Sequence, residues 1–295
     1  MNFIAIDFET SNPCLESICQ IGVVVFDGNG VADVWQTLVN PQDYFDARNV
    51  AIHGITEDSV KDAPELPALF DKLRALISGA VVAHHTQFDR TALARATKKY
   101  GLTAIECSWL DTARVVRRAW PEFARSGYGL SNVAEKFGIQ FTHHAAHEDA
   151  RASGEILRRA VLETGITITD WLEQVNYGIT SDDGTKRKWT NQRFACEGNA
   201  EGPLFGETIV FTGELAIPRR HAAEIAAKAG CDVADGVNKH TTLLVVGDQD
   251  LRVLAGHEKS SKHRNAETLI EKGQAIRILC ESDFMSLVET TAKGG

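Results

Sequence analysis

The chain has 295 residues, 43% of them apolar and 24% charged, which suits a globular protein of two domains rather than a disordered or fibrous one. Its formal net charge of −9 excludes a chain that coats nucleic acid with bulk positive charge, but not a local site where bound cations carry the recognition. The six cysteines (Cys14, Cys19, Cys107, Cys196, Cys231 and Cys280) form no Cys-x-x-Cys pair and fit no zinc-module spacing, as expected of thiols in a reducing compartment. A strand begins almost at once, without a signal-peptide pattern, and no apolar run approaches the roughly 20 residues a bilayer requires. The expected location is cytoplasmic.

In chain order, "FIAIDFE" and "ICQIGVVVFD" are apolar, β-branched runs separated by a Ser/Asn/Pro turn, and predict adjacent strands. "WQTLVNP" predicts a third strand stopped by Pro41, and residues 68–76 have helical periodicity. "GAVVAHH" predicts a short buried strand and "FDRTALARATKKYG" a helix closed by Gly101. "ECSWLDTARVVRRAW" holds another strand and helix, and "LSNVAEKFGI" and "EDARASGEILRRAVLE" are amphipathic helices. Strands followed by alternating helices and strands indicate an α/β domain over residues 1–165. The pattern then fades, and the polar stretch around "SDDGTKRK" predicts a linker over 166–202. Order resumes at "GETIVFTGEL" with a β-α-β-β-α-β-α reading, a second small α/β domain over 203–295.

Two carboxylates interrupt the first strand. Residues i and i+2 share a strand face, so Asp7 and Glu9 project together, away from Ile6 and Phe8. Side by side they repel, and a divalent cation with a preference for oxygen ligands relieves that repulsion. A solvated strand end is the plainer alternative. Asp89 opens a helix after the "VVAHH" strand, where a carboxylate also suits the helix dipole. Asp149 lies in the first turns of a later helix, with His144 in the loop before it. His143 and His147 show that histidines are frequent in this stretch, and neither they nor His84 and His85 are assigned a role.

Taken together, Asp7, Glu9, Asp89 and Asp149, with His144 just before the last, resemble the DEDDh family of 3′–5′ exonucleases, which includes proofreading subunits of replicative polymerases, ribonuclease T and oligoribonuclease. Three motifs carry the resemblance: Asp7-Phe8-Glu9-Thr10, the run from His84 to Asp89, and His144-x-Ala146-x-x-Asp149. "IHGIT" at 52–56 also recurs in the proofreading branch. His85 and Thr86 depart from the usual Asn-Ala of the second motif. The resemblance implies a ribonuclease H-like domain with a mixed sheet and two Mg2+ or Mn2+ ions. It implies that Asp7, Glu9, Asp89 and Asp149 are metal ligands and that His144 is the general base. Phe8, Thr10 and Phe88 would line the terminal nucleotide, although core packing is the simpler reading of both phenylalanines.

In the second domain, "VFTGEL", Arg219-Arg220, Gly230, "LLVVG", Lys262, Ala266 and Phe284 resemble a BRCT domain of the type in bacterial DNA ligases and clamp-loader large subunits. Phe284 stands where Trp is commoner. The resemblance implies binding of DNA ends or phosphorylated partners, with Thr212, Gly213 and Lys262 as an anion pocket. A turn glycine and an exposed lysine are the alternative. The domain is slightly acidic, so any DNA contact should be local. The whole chain is thus expected to release nucleotides from the 3′ ends of DNA, single strands included, alongside replication or repair proteins. An exoribonuclease and a non-catalytic DNA- or partner-binding scaffold are the competing expectations.

Overall fold

The computed structural model describes residues 1–123, 128–176, 198–199, 202–213, 215–247 and 260–292. The chain forms two compact units, Met1–Tyr177 and Gly178–Gly295. Most of the expected linker, including "SDDGTKRK", lies outside the described residues.

In the first unit, β1 (Phe3–Thr10), β2 (Ile18–Asp27), β3 (Gly30–Leu38), β4 (Val81–His84) and β5 (Ser108–Asp111) form one mixed sheet in the order β3-β2-β1-β4-β5. β1 pairs antiparallel with β2, and parallel pairing joins β1 to β4 and β4 to β5. The expected α/β mixed-sheet domain is therefore observed. β3 starts earlier than the "WQTLVNP" pattern suggests and stops at Leu38. Its first half, Val31 to Val34, is exposed at the sheet edge, so it lacks the alternation that marks a half-buried strand.

The helices are α1 (Ala47–His53), α2 (Glu57–Val60), α3 (Leu66–Ile77), α4 (Phe88–Lys99), α5 (Thr112–Ala119), α6 (Leu130–Phe137), α7 (Ala146–Thr164) and α8 (Ile168–Asn176). Phe3, Val24, Phe26, Leu110, Val116 and Ile156 belong to the principal core. That core continues past residue 165. α8 falls inside the predicted linker, yet its Trp171 and Val175 are only 1% and 2% exposed and pack in the first unit's core. The apolar spacing Ile168, Trp171, Leu172, Val175 carries this helix despite its polar flanks.

"IHGIT" has a local structural meaning. His53 ends α1, Gly54 is its left-handed cap at φ 73°, and Thr56 caps α2 through a reciprocal box with Ser59.

In the second unit, β6 (Thr208–Thr212), β7 (Asp232–Val233), β8 (Leu243–Val246) and β9 (Arg277–Cys280) form a parallel sheet in the order β7-β6-β8-β9. The helices α9 (Arg219–Ala229), α10 (Ser261–Glu271) and α11 (Glu281–Ala292) complete the β-α-β-β-α-β-α order. Val210, Leu244, Ala266 and Ile278 are among its core residues. Among the described residues no helix is long and apolar enough to cross a membrane.

Candidate active site

The site begins where β1 outruns β4. The two strands pair at Ile4–Val82 and Ala5–Ala83, and β4 ends at His84. Beyond that point the β4 side of β1 is open, the position at strand carboxyl ends where ligands bind in such sheets. Asp89, in the first turn of α4, closes part of the gap. Its Oδ1 accepts the Phe8 backbone N–H at 3.1 Å, so a side chain stands in for a missing ladder partner. Asp89 is 5% exposed.

Across β1, the register with β2 sets Gly22 opposite Asp7 and Gln20 opposite Glu9. Cross-strand partners share a sheet face, and on this face the start of α7 docks. The Gln20 Oε1 accepts the Ala146 backbone N–H at 3.0 Å. Gly22 is required, because a Cβ there would lie 2.2 Å from the Ala146 carbonyl carbon and from the His147 nitrogen. With α7 held this close, Asp149 reaches β1. One carboxylate oxygen each from Asp7, Glu9 and Asp149 lies within 4.8 Å of the others. Gln20 and Gly22 are missing from the sequence-level candidates. A lone glycine inside the β-branched run "IGVVV" is the available signal, since it marks a close backbone approach.

Asp149 is 3% exposed. Its Oδ1 accepts from His143 Nδ1 at 2.7 Å, while its Oδ2 is buried without a hydrogen-bond partner among the described residues. A buried carboxylate oxygen without a donor is costly. In a residue grouped with two further carboxylates, such an unsatisfied oxygen fits a site for a hard divalent cation. His144 adopts a left-handed φ of 65° and holds its Nδ1 3.9 Å from Glu9 Oε1. The expected acids Asp7, Glu9 and Asp149 thus converge with His144, and Asp89 stands behind them on the Phe8 amide.

Phe8 and Phe88 are 7% and 6% exposed, which favours core packing over a nucleotide-lining role. The Thr10 carbonyl accepts from Asn49 Nδ2 at 2.8 Å and from His53 Nε2 at 3.1 Å. The Ile55 N–H donates to His53 Nδ1 at 3.0 Å, which leaves the ring proton on Nε2. Burial pushes the His53 pKa down, with the Thr10 carbonyl opposing. His84 and His85 are also pushed down by burial. His84 Nδ1 bonds the Thr86 carbonyl. His85 lies 2.8 Å from both the Thr112 hydroxyl and the Tyr128 carbonyl, bracing α5 behind the acids.

In the second unit, Lys262 Nζ donates to the Phe211 carbonyl at 3.1 Å, and Arg219 donates to the same oxygen and to the Gly213 carbonyl. Thr212 Oγ1 lies 2.6 Å from Ser260 Oγ, and Gly213 is left-handed at φ 74°. Burial and then the neighbouring Arg219 lower the Lys262 pKa. Thr212, Gly213 and Lys262 are therefore neighbours through Phe211, joined by Arg219 and Ser260, which the sequence-level pocket omits.

Residues 4–157 match the exonuclease family, more than half of the chain. The chain belongs to that family, and the expected kinship of its first half is borne out. It is 35% identical over 158 residues to the PolC-type DNA polymerase III of Caldanaerobacter subterraneus subsp. tengcongensis, covering 52% of this chain and 11% of the polymerase. It is 27% identical over 180 residues to the PolC-type DNA polymerase III of Thermotoga maritima, covering 59% of this chain and 13% of the polymerase. The chain thus spans only a small fraction of the length of these relatives. Solved structures with a similar arrangement include a full-length 3′-exonuclease, with a TM-score of 0.49 and 20% identity over 56% of this chain and 61% of that one. Exonuclease X in complex with 5′ overhanging duplex DNA gives a TM-score of 0.47 and 20% identity over 58% of this chain and 97% of that one.

Proposed function

We propose that the first unit is a DEDDh-type 3′–5′ exonuclease that removes nucleoside monophosphates from DNA 3′ ends with two Mg2+ or Mn2+ ions. The observation that carries the reading is the convergence of Asp7, Glu9 and Asp149, with the buried Asp149 Oδ2 lacking any donor among the described residues. When bound, two divalent ions at such a site neutralise charge on the attacking and leaving oxygens of an in-line displacement.

Within that reading, Asp7, Glu9 and Asp149, with Asp89 beside them, would hold the divalent ions. His144 accepts the proton that the water gives up. The P–O3′ bond then breaks, the leaving O3′ takes a proton from solvent to become the strand's new 3′-hydroxyl, and a nucleoside 5′-monophosphate is released. An imidazole, with an ordinary pKa of about 6.5, suits this transfer near neutral pH. The loop position of His144 puts its ring beside Glu9, within reach of a water at the acidic site. Thr10, at the partly exposed end of β1, remains a candidate contact to the terminal nucleotide. DNA is favoured over RNA because the curated relatives quoted above are DNA polymerases. Magnesium-dependent hydrolysis of 3′-labelled single-stranded DNA, duplex DNA and RNA tests the reading. Activity confined to RNA would replace it with an exoribonuclease, and no activity on any strand would favour a binding scaffold.

The second unit is read as a BRCT module for DNA ends or phosphorylated partners, in the setting of replication or repair. The grouping of Thr212, Gly213 and Lys262 around the Phe211 carbonyl, with Arg219 beside them, supports an anion pocket. Thr212→Ala with Lys262→Ala should weaken binding of the full chain to 5′-phosphorylated duplex ends or phosphopeptides, measured by anisotropy. Unchanged affinity for every phosphorylated ligand would remove the pocket.

A further inference from the structure

The motif His144-x-Ala146-x-x-Asp149 accounts for one histidine of the loop before α7 and leaves out its neighbour. Neighbouring side chains in extended backbone point to opposite sides. Here the left-handed φ of 65° at His144 turns the chain, and the two imidazoles stack with centroids 3.8 Å apart and planes 13° apart. One ring of the stack meets Asp149, through His143 Nδ1 at 2.7 Å from Oδ1. The other approaches Glu9, with His144 Nδ1 at 3.9 Å from Oε1. A carboxylate only accepts, so His143 Nδ1 carries the proton at that contact.

Two consequences follow from this geometry. A carboxylate held through one oxygen is restricted in turning about its Cβ–Cγ bond, so the bond to His143 fixes the orientation in which Asp149 meets Asp7 and Glu9. A ring seated against another ring cannot swing freely either, which restricts His144 to the side of the loop facing Glu9.

We propose that His143 is a positioning residue of the acidic site, aligning Asp149 through its Nδ1–H and His144 through its ring face. The inference rests on the metal-dependent reading above and extends it to a side chain that never touches the substrate. It also separates two tasks chemically, because a ring without a donor and a donor without a ring each preserve one of them.

The experiment uses the full chain with Mn2+ alone in titration calorimetry, and kcat on a 3′-labelled single strand at saturating metal. His143→Phe keeps a ring and loses the donor. It should lower Mn2+ affinity by about 10–100-fold, the usual effect of losing an outer partner of a metal ligand, with kcat within a few-fold of wild type. His143→Gln keeps a donor and loses the ring. It should hold Mn2+ affinity within a few-fold and lower kcat by roughly 10-fold or more, as a misplaced catalytic group does. Wild-type affinity and kcat in both variants would overturn the proposal. Parallel loss of both quantities in both variants, together with a lowered Tm, would also overturn it in favour of simple packing. Asp7→Asn is the control. If it leaves Mn2+ affinity unchanged, the metal site itself fails. If it abolishes binding while the His143 variants do not separate, only the role of His143 fails.

Discussion

Gly22→Ala adds one methyl group on a strand that supplies none of the acids, and it should disable the site. The added Cβ would sit 2.2 Å from two backbone atoms at the start of α7, where ordinary contact begins at 3.4 Å. The helix start must therefore retreat by about 1.2 Å, the difference between those two distances. Backbone cannot rotate aside as a side-chain tip can. The 3.0 Å bond from the Ala146 N–H to Gln20 would stretch beyond hydrogen-bonding range, and Asp149 would be drawn from the group it forms with Asp7 and Glu9. Misplacement by about 1 Å costs on the order of 10²-fold in turnover, and overpacking costs about 1–3 kcal/mol of stability. Gly154→Ala supplies the comparison, since its Cβ would meet the ring of Phe26 at 2.2 Å. That clash lies in the core, so it should lower Tm and leave metal affinity intact. The assays are calorimetric metal titration, kcat on a 3′-labelled strand and thermal unfolding for both variants. Gly22→Ala with wild-type metal affinity and turnover would refute the argument that the glycine sets the distance between α7 and β1.

His144→Ala should slow turnover by about 10²–10⁴-fold, the usual contribution of a general base, while calorimetry finds metal binding retained; lost binding would make His144 a ligand. A fragment ending at residue 177 should fold and hydrolyse short single strands, whereas one ending at 165 should melt well below it, having lost the buried Trp171 and Val175. Equal melting temperatures would return α8 to the linker. Burial holds the folded pKa values of His53, His84 and His85 below the ordinary 6.5. Their contribution is therefore complete above about pH 6.5 and is lost as pH falls toward the folded values. Urea unfolding of the 1–177 fragment should show stability declining from pH 7 to 5, and NMR titration should show these three rings protonating below 6.5. Rings that titrate above 6.5 would reverse the sign.

Much of the site is legible in the sequence because each acid occupies a position with a simple rule. Period-two alternation puts Asp7 and Glu9 on one face, and Asp89 and Asp149 each open a helix after a loop or strand. What escapes depends on register between distant segments. Gln20 and Gly22 acquire meaning only as the partners of Glu9 and Asp7 across β1–β2. His143 reads as one more loop histidine until the left-handed turn at His144 stacks the two rings. α1 and α2 are unread because they are short, and α1 buries no residue, so no apolar stripe marks it. Their end signals, Gly54 and Thr56, are nevertheless present within "IHGIT". α8 escapes because polar flanks mask its apolar spacing, and the exposed half of β3 carries no alternation to read.

The central claim, that Asp7, Glu9 and Asp149 hold catalytic divalent ions, is tested most directly by hydrolysis of a 3′-labelled DNA strand by wild type and Asp7→Ala, with and without Mg2+. Wild type with Mg2+ should release the 3′ label as a nucleoside 5′-monophosphate, with no release after chelation and none from a folded Asp7→Ala protein at any Mg2+ concentration. Hydrolysis by Asp7→Ala within a few-fold of wild type, or wild-type hydrolysis that survives chelation, would contradict it.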